Sequence, residues 1–388
     1  MKVYMDYGAA CPVDPAVLDV MVPYFSDSHG NPSSFHSLGF DALKAMNGAR
    51  EQVASLVGAD SSEIVFTSCA TESNNLAIAG AAIRYRKRGK RVVISEIEHI
   101  SVINICKELT RQGFEVVTAP VDETGIVDIE KLGELVNNET VLVSIMAANG
   151  EIGTIQPIKE AAEITHSHEA IFHTDATAAA GQITLEAATL GFDLMTLSSN
   201  DLYGPKGVGA LYLRKGLRLK PHMIGGGQES GLRSGSENVP GIVGMGKAAD
   251  LLLGRMGAEG ERLTGLRDRL IRGVLDAVPE SYLNGHPTRR LPNNANIRFS
   301  YVEGEALILS LDQLGVQLSS GSACVAKTLE PSHVLRALGL KHEEAHGSLV
   351  FTLGKDNRED DVDYVIQVIP DVVRKLRAMS PLTPQEMR

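Results

Sequence analysis

Short β-branched runs alternate with longer amphipathic segments through about residue 215, and this rhythm limits the chain to few folds. Strand-like runs fall at residues 64–66, 92–94, 116–118, 141–146, 171–174, 194–197 and 210–213. Helical periodicity marks 41–57, 73–87, 102–112 and 158–168. Alternation at this spacing predicts an α/β domain around a largely parallel sheet. Ligands of such sheets bind in the loops beyond the carboxyl ends of the strands. The Gly-rich stretch 225–231 interrupts the pattern. A helical segment over 239–277, broken near 254–260, leads to strand-like runs at 296–299, 316–318 and 348–352 and a last helix at 359–379. This second half reads as a smaller α+β domain, ending in a polar tail over 380–388.

Composition narrows the function classes. The chain has 388 residues, of which 43% are hydrophobic and 22% charged, so it can bury a core and is not a disordered chain. At 37 basic against 48 acidic residues the net charge is −11, which argues against a general nucleic-acid binder. No run approaches the ~18 apolar residues of a membrane span, and the first fifteen residues lack a signal-peptide core. Four cysteines, Cys11, Cys69, Cys106 and Cys324, form no CxxC pair. So few thiols predict a reducing, cytoplasmic setting rather than a disulfide scaffold.

Several short motifs carry possible chemistry. His342-Glu-Glu-Ala-His346 is a literal HExxH, the pattern of zinc proteases. Gly339 precedes it and Gly347 follows it, leaving barely a turn of helix, so the context favours a chance match. His166 and His168 read as a solvated helix end. The basic run Arg84–Arg91 reads as a helix C-terminus, where cations complement the dipole. Thr67-Ser-Cys-Ala-Thr-Glu-Ser-Asn74 follows a strand and opens a helix, which suits an anion. His173-Thr-Asp175 puts a carboxylate at the same sheet edge, fit for a protonated ring nitrogen or for a helix cap. The loop 198–207 after a third strand is another anion candidate. Cys106 reads as core. Cys324, in Ser319-Ser-Gly-Ser-Ala-Cys-Val-Ala-Lys327, reads as an exposed thiol whose thiolate fraction Lys327 would raise.

Taken together, these segments resemble one family over almost the whole chain, the pyridoxal-phosphate (PLP) cysteine desulfurases of the IscS/NifS type. The resemblance rests on Asp6-Tyr-Gly-Ala-Ala-Cys-Pro-Val-Asp-Pro15, Gly30-Asn-Pro-Ser33, Ala70-Thr-Glu-Ser73, Glu98-His99, Asn149-Gly-Glu-Ile-Gly153 and Asp175-Ala-Thr177. It continues through Tyr203-Gly-Pro-Lys-Gly207, Arg233-Ser-Gly235, Ser320-Gly-Ser-Ala-Cys324 and Leu335-Arg-Ala-Leu-Gly339. It implies PLP-transferase fold type I: a large domain over 16–257 with a mainly parallel seven-stranded sheet, and a small α+β domain built from 1–15 and 258–388. It implies a homodimer. His99 would stack on the PLP ring, Asp175 would pair with its nitrogen, and Asn149 would lie near its 3′-oxygen. Ala70, Thr71, Ser198, Ser199 and Asn200 would surround the phosphate side, with Ser236 reaching in from the other subunit. Cys324 would take sulfur from L-cysteine as a persulfide and pass it to an IscU-like iron–sulfur scaffold protein.

Four positions depart from the family pattern. Asp201 stands where the family's Ser-x-His-Lys carries the lysine that bonds PLP, and Lys206 belongs to a separate Gly-Pro-Lys-Gly motif. Asn200 stands for the histidine of that motif, Ala178 for a glutamine after Asp-Ala-Thr, and Val350 for an arginine that clamps the substrate carboxylate. A charge ~6 Å from a phosphate is worth roughly 3 kcal/mol at an effective dielectric of ~20, so exchanging cation for anion disfavours PLP. All four departures fall on cofactor and substrate handling, while the Cys324 motif is intact. The expected function is therefore iron–sulfur cluster assembly. Cys324 would act as persulfide carrier or metal ligand of a shared 2Fe–2S cluster, with PLP noncovalent if bound at all. The alternatives are a working desulfurase with noncovalent PLP, converting L-cysteine to L-alanine, and a non-catalytic regulatory partner.

Overall fold

The structure is a computed structural model that describes residues 1–320 and 331–385. Twelve strands occur among them: β1 (Val3–Tyr4), β2 (Ile64–Thr67), β3 (Arg91–Ser95), β4 (Glu115–Ala119), β5 (Thr140–Ser144), β6 (Ile171–Asp175), β7 (Leu194–Ser198), β8 (Gly209–Leu213), β9 (Ser281–Asn284), β10 (Asn294–Phe299), β11 (Val316–Gln317) and β12 (Ser348–Thr352). Seven of them form one sheet in the order β2-β8-β7-β6-β5-β3-β4. Only β8 runs against its neighbours. β5, β6 and β7 are buried along their whole lengths. That is why their sequences read as continuous apolar runs rather than as alternation, as expected for strands covered on both faces.

The helices that cover the sheet follow the expected segments. Ser37–Leu56, Ala70–Tyr85, Ile100–Arg111 and Ile158–Ser167 pack their apolar sides against it. The long helical segment of the second half breaks between Val239–Leu253 and Met256–Ala277. Gly254 and Arg255 make that break, while Gly257 and Gly260 sit inside the second helix, so the interruption is shorter than the glycine spacing suggests. A three-stranded antiparallel sheet, β12-β10-β9, packs with Met256–Ala277 and Glu359–Met379 around a core of its own.

Arg290 joins the two sheets. It is buried, and its guanidinium donates to the carbonyls of Ile152, beyond β5, Asn284 of β9 and Asn294 of β10 at 2.9–3.2 Å. Burial, with Arg267 nearby, lowers its pKa to about 10, which leaves it charged at neutral pH. Replacing it by methionine keeps much of the volume but leaves those carbonyls unpaired. Arg290→Met is expected to lower stability by about 3 kcal/mol, seen as a lower urea midpoint. An unchanged midpoint would contradict this role.

Candidate active site

The loops after β2, β3, β5, β6 and β7 all open at the carboxyl edge of the large sheet. Beyond β2, Cys69 is the N-cap of Ala70–Tyr85 and makes no side-chain cap bond. The first-turn N–H groups at Ala70 and Thr71 are therefore not capped by a side chain, an arrangement suited to an anion. Gly209 of β8 passes so close that a Cβ there would lie 2.7 Å from the Cys69 carbonyl carbon, so only glycine fits. Glu72 accepts from Ser68 N–H and from Arg233 Nε at 3.1 Å, drawing in the loop that carries Ser236. Ser236 is exposed and shares a recess with Thr67, Ser68 and Gly207 of its own chain.

A chain of hydrogen bonds crosses the site. His99 caps Ile100–Arg111, and its Nδ1 lies 2.7 Å from Ser101 Oγ. Asn74 Nδ2 donates to Ser101 Oγ at 2.9 Å and to Asp175 Oδ2 at 2.7 Å. Asp175 Oδ1 accepts from Thr177 N–H at 2.9 Å. The His99 ring and the buried Asp175 carboxylate are thus oriented through shared neighbours. Asn149, also buried, reaches the loop after β3 and its own turn: Nδ2 donates to the Ile97 carbonyl and Met146 Sδ, and Oδ1 accepts from Glu151 and Ile152 N–H.

After β7, Ser198, Ser199 and Asn200 lead into Asp201, which lines a cleft with Tyr7, Cys11, Gly150, Ala178 and Asn293. Desolvation raises the Asp201 carboxyl to about 6. Hydrogen bonds from Ser198 and Asn200 oppose that rise, and the Asp175 charge adds to it. Ser199 Oγ, Asn200 Oδ1 and Thr177 Oγ1 are buried and, among the described residues, have no hydrogen-bond partner. Lys206 Nζ is held by the Cys11 carbonyl at 2.9 Å. Burial, then Asp201, pushes the Cys11 thiol up to about 12, so it is inert at neutral pH. Cys106 is buried as expected, and Cys69 is exposed. Val350 lies buried in β12, opposite Asn296.

Cys324 and Lys327 lie outside the described residues. The chain on either side of that segment is tied to the rest of the fold. Ser319 accepts from Val350 N–H at 2.7 Å. Ser332 Oγ donates to Glu151 Oε2 at 2.7 Å, and His333 Nε2 donates to the Glu98 carbonyl at 2.9 Å. Burial raises Glu98 to about 8 and Glu151 to about 7. Glu151 and Ser332 were not singled out from sequence. Their only sequence signal is the Glu within Asn149-Gly-Glu-Ile-Gly153.

His166 pairs with Asp193 at 3.0 Å, His168 with Asn138, and Arg91 with Glu115. The HExxH helix, His342–His346, has five residues. Among the described residues, no group of three or more His, Cys, Asp or Glu converges on a metal site, and no helix is long and apolar enough to cross a membrane.

The Aminotransferase class-V family model matches residues 3–365. The chain is 56% identical to cysteine desulfurase IscS 1 of Archaeoglobus fulgidus over 98% of its length and 99% of that protein. It is 49% identical to cysteine desulfurase IscS of Methanosarcina thermophila over 100% and 95%. A solved NifS-like protein superposes with a TM-score of 0.91 at 37% identity, covering 97% of this chain and all of that one. The fold is that of PLP-dependent aminotransferases of fold type I. Within that class, the chain belongs to the class-V aminotransferase family, among the IscS/NifS-type cysteine desulfurases.

The raised pKa of Asp201 has a stability consequence. Its folded value, about 6, exceeds the unfolded value of 3.8. Stability is therefore lost as pH rises from about 4 to 6 and stays lost above, by roughly 3 kcal/mol at most. Asp201→Asn is expected to raise the melting temperature at pH 7.5 and to give little gain at pH 4. An equal shift at both pH values would contradict this.

Proposed function

We propose that this chain works in iron–sulfur cluster assembly, docking an IscU-like scaffold protein and presenting Cys324 as persulfide carrier or iron–sulfur ligand, with weak or absent PLP-dependent desulfuration. The observation that carries the reading is Asp201, a desolvated acid within electrostatic reach of Asp175, where the family pattern has its PLP-bonding lysine. A carboxylate has no amine to bond the cofactor or to move a proton as that lysine would. Its charge also opposes a phosphorylated ligand. Ala178 and Val350 remove two further polar contacts, the second of them a bidentate clamp for a carboxylate.

The remaining residues still fit PLP. Asp175, fixed by Asn74 and Thr177, would hold a protonated ring nitrogen, and His99 would cover a ring face. The uncapped N–H groups at Ala70 and Thr71, with Ser198, Ser199, Asn200 and Ser236, would hold the phosphate. The unpartnered Ser199 and Thr177 hydroxyls are available to a polar ligand. PLP, when bound, supplies an electron sink for the substrate's α-carbon. The intact chain from His99 to Asp175 favours a second reading, a desulfurase that holds PLP noncovalently. No sulfide release from L-cysteine with added PLP and a thiol reductant would exclude it.

The homodimer is part of the proposal. Leu18, Val22, Phe25, Phe35, Phe40 and Leu43 are exposed within one short stretch, as are Met223 and Ile224. Such concentration of large apolar side chains marks an interface. The thiolate of Cys324 suits either role, since iron–sulfur clusters take soft sulfur ligands. Anaerobic reconstitution with the scaffold, ferrous iron, a low-molecular-weight persulfide as sulfane-sulfur donor and a thiol reductant tests the role of Cys324. Cys324→Ala is expected to lose cluster assembly while keeping the complex, and unchanged assembly would overturn the proposal.

A further inference from the structure

We propose that His342 and His346 form a two-imidazole chelate for a borderline divalent cation, Zn2+ or Cu2+, in the cleft beside the small sheet. The two residues stand one turn apart on His342–His346, with Nε2 atoms 3.4 Å from each other and ring centroids 4.4 Å apart. A cation 2.0–2.1 Å from each nitrogen at a tetrahedral angle needs a nitrogen separation of about 3.4 Å. Among the described residues, each Nε2 has only the other as hydrogen-bond partner. Two lone pairs facing across that gap are satisfied by one shared proton or by one shared cation.

The surroundings favour the cation. Glu303 Oε2 lies 3.9 Å from His346 Nδ1, on the far side of the ring from the gap. A carboxylate there adds negative charge beside the imidazole pair, which favours a bound cation. Four carboxylates, Glu280, Glu303, Glu343 and Glu344, line the cleft against two cations, Arg298 and Lys341. No third protein ligand converges among the described residues, so water or a group from another molecule would complete the coordination. This differs from the protease pattern, which needs a longer helix and a third ligand. It is also independent of the chemistry at Asp201 and Cys324.

The test uses the full-length protein with accessible thiols blocked by iodoacetamide, so that Cys69 and Cys324 cannot bind the metal. Calorimetric titration with Zn2+ is expected to show one equivalent per chain, lost in both His342→Asn and His346→Asn. Glu303→Gln is expected to weaken binding about tenfold. Bound Cu2+ is expected to show coupling to two nitrogens by electron paramagnetic resonance. Binding retained by the double histidine variant, or no stoichiometric binding by the wild type, overturns the proposal. Should a variant fail to fold, protection of both histidines of the wild type from diethylpyrocarbonate by Zn2+ decides, and absence of protection overturns it.

Discussion

The site depends on the placement of one buried acid, Asp175, at the end of a fully buried strand. Its carboxylate is held by Asn74 from one helix and by Thr177 N–H from its own loop. The same Asn74 reaches Ser101, which orients His99. Strands without Gly or Pro deliver these residues to one edge, and the helix starting at Ala70 supplies Asn74 one turn in. Breaking Asn74 would therefore release both faces of the site together.

A second acid changes what this edge can do. Asp201 sits beyond the neighbouring strand, close enough for the Asp175 charge to raise its pKa. Hydrogen bonds from Ser198 and Asn200 partly offset that rise. Two neighbouring acids at this edge favour a cationic ring nitrogen and oppose a phosphate. Under the proposed function the pocket would keep its shape for PLP without the amine that bonds it, and sulfur chemistry would rest on Cys324.

The sequence makes the large sheet legible because its strands are buried on both faces and bounded by turns. β12, buried at every position, has the expected bounds for the same reason, and the helix Glu359–Met379 has them because its buried residues recur at helical spacing. Ile129–Leu135 was not anticipated, because seven residues containing Gly133 carry too little periodicity. β9 was missed because only Asn284 of its four residues is buried. Of the site, His99, Asp175 and the Ala70 turn are readable from motif and position. The Asn74–Ser101 link and the Glu151–Ser332 contact are not, since they join residues far apart in sequence through side chains ordinary in themselves.

The central claim is that residue 201 decides whether this pocket can bond PLP. Its most direct test is to incubate the wild type and Asp201→Lys with PLP, reduce with borohydride and map the attachment by mass spectrometry. The account predicts covalent PLP at position 201 in the variant and no stoichiometric attachment in the wild type. Stoichiometric attachment to a lysine of the wild-type site, or none in the variant, would contradict it.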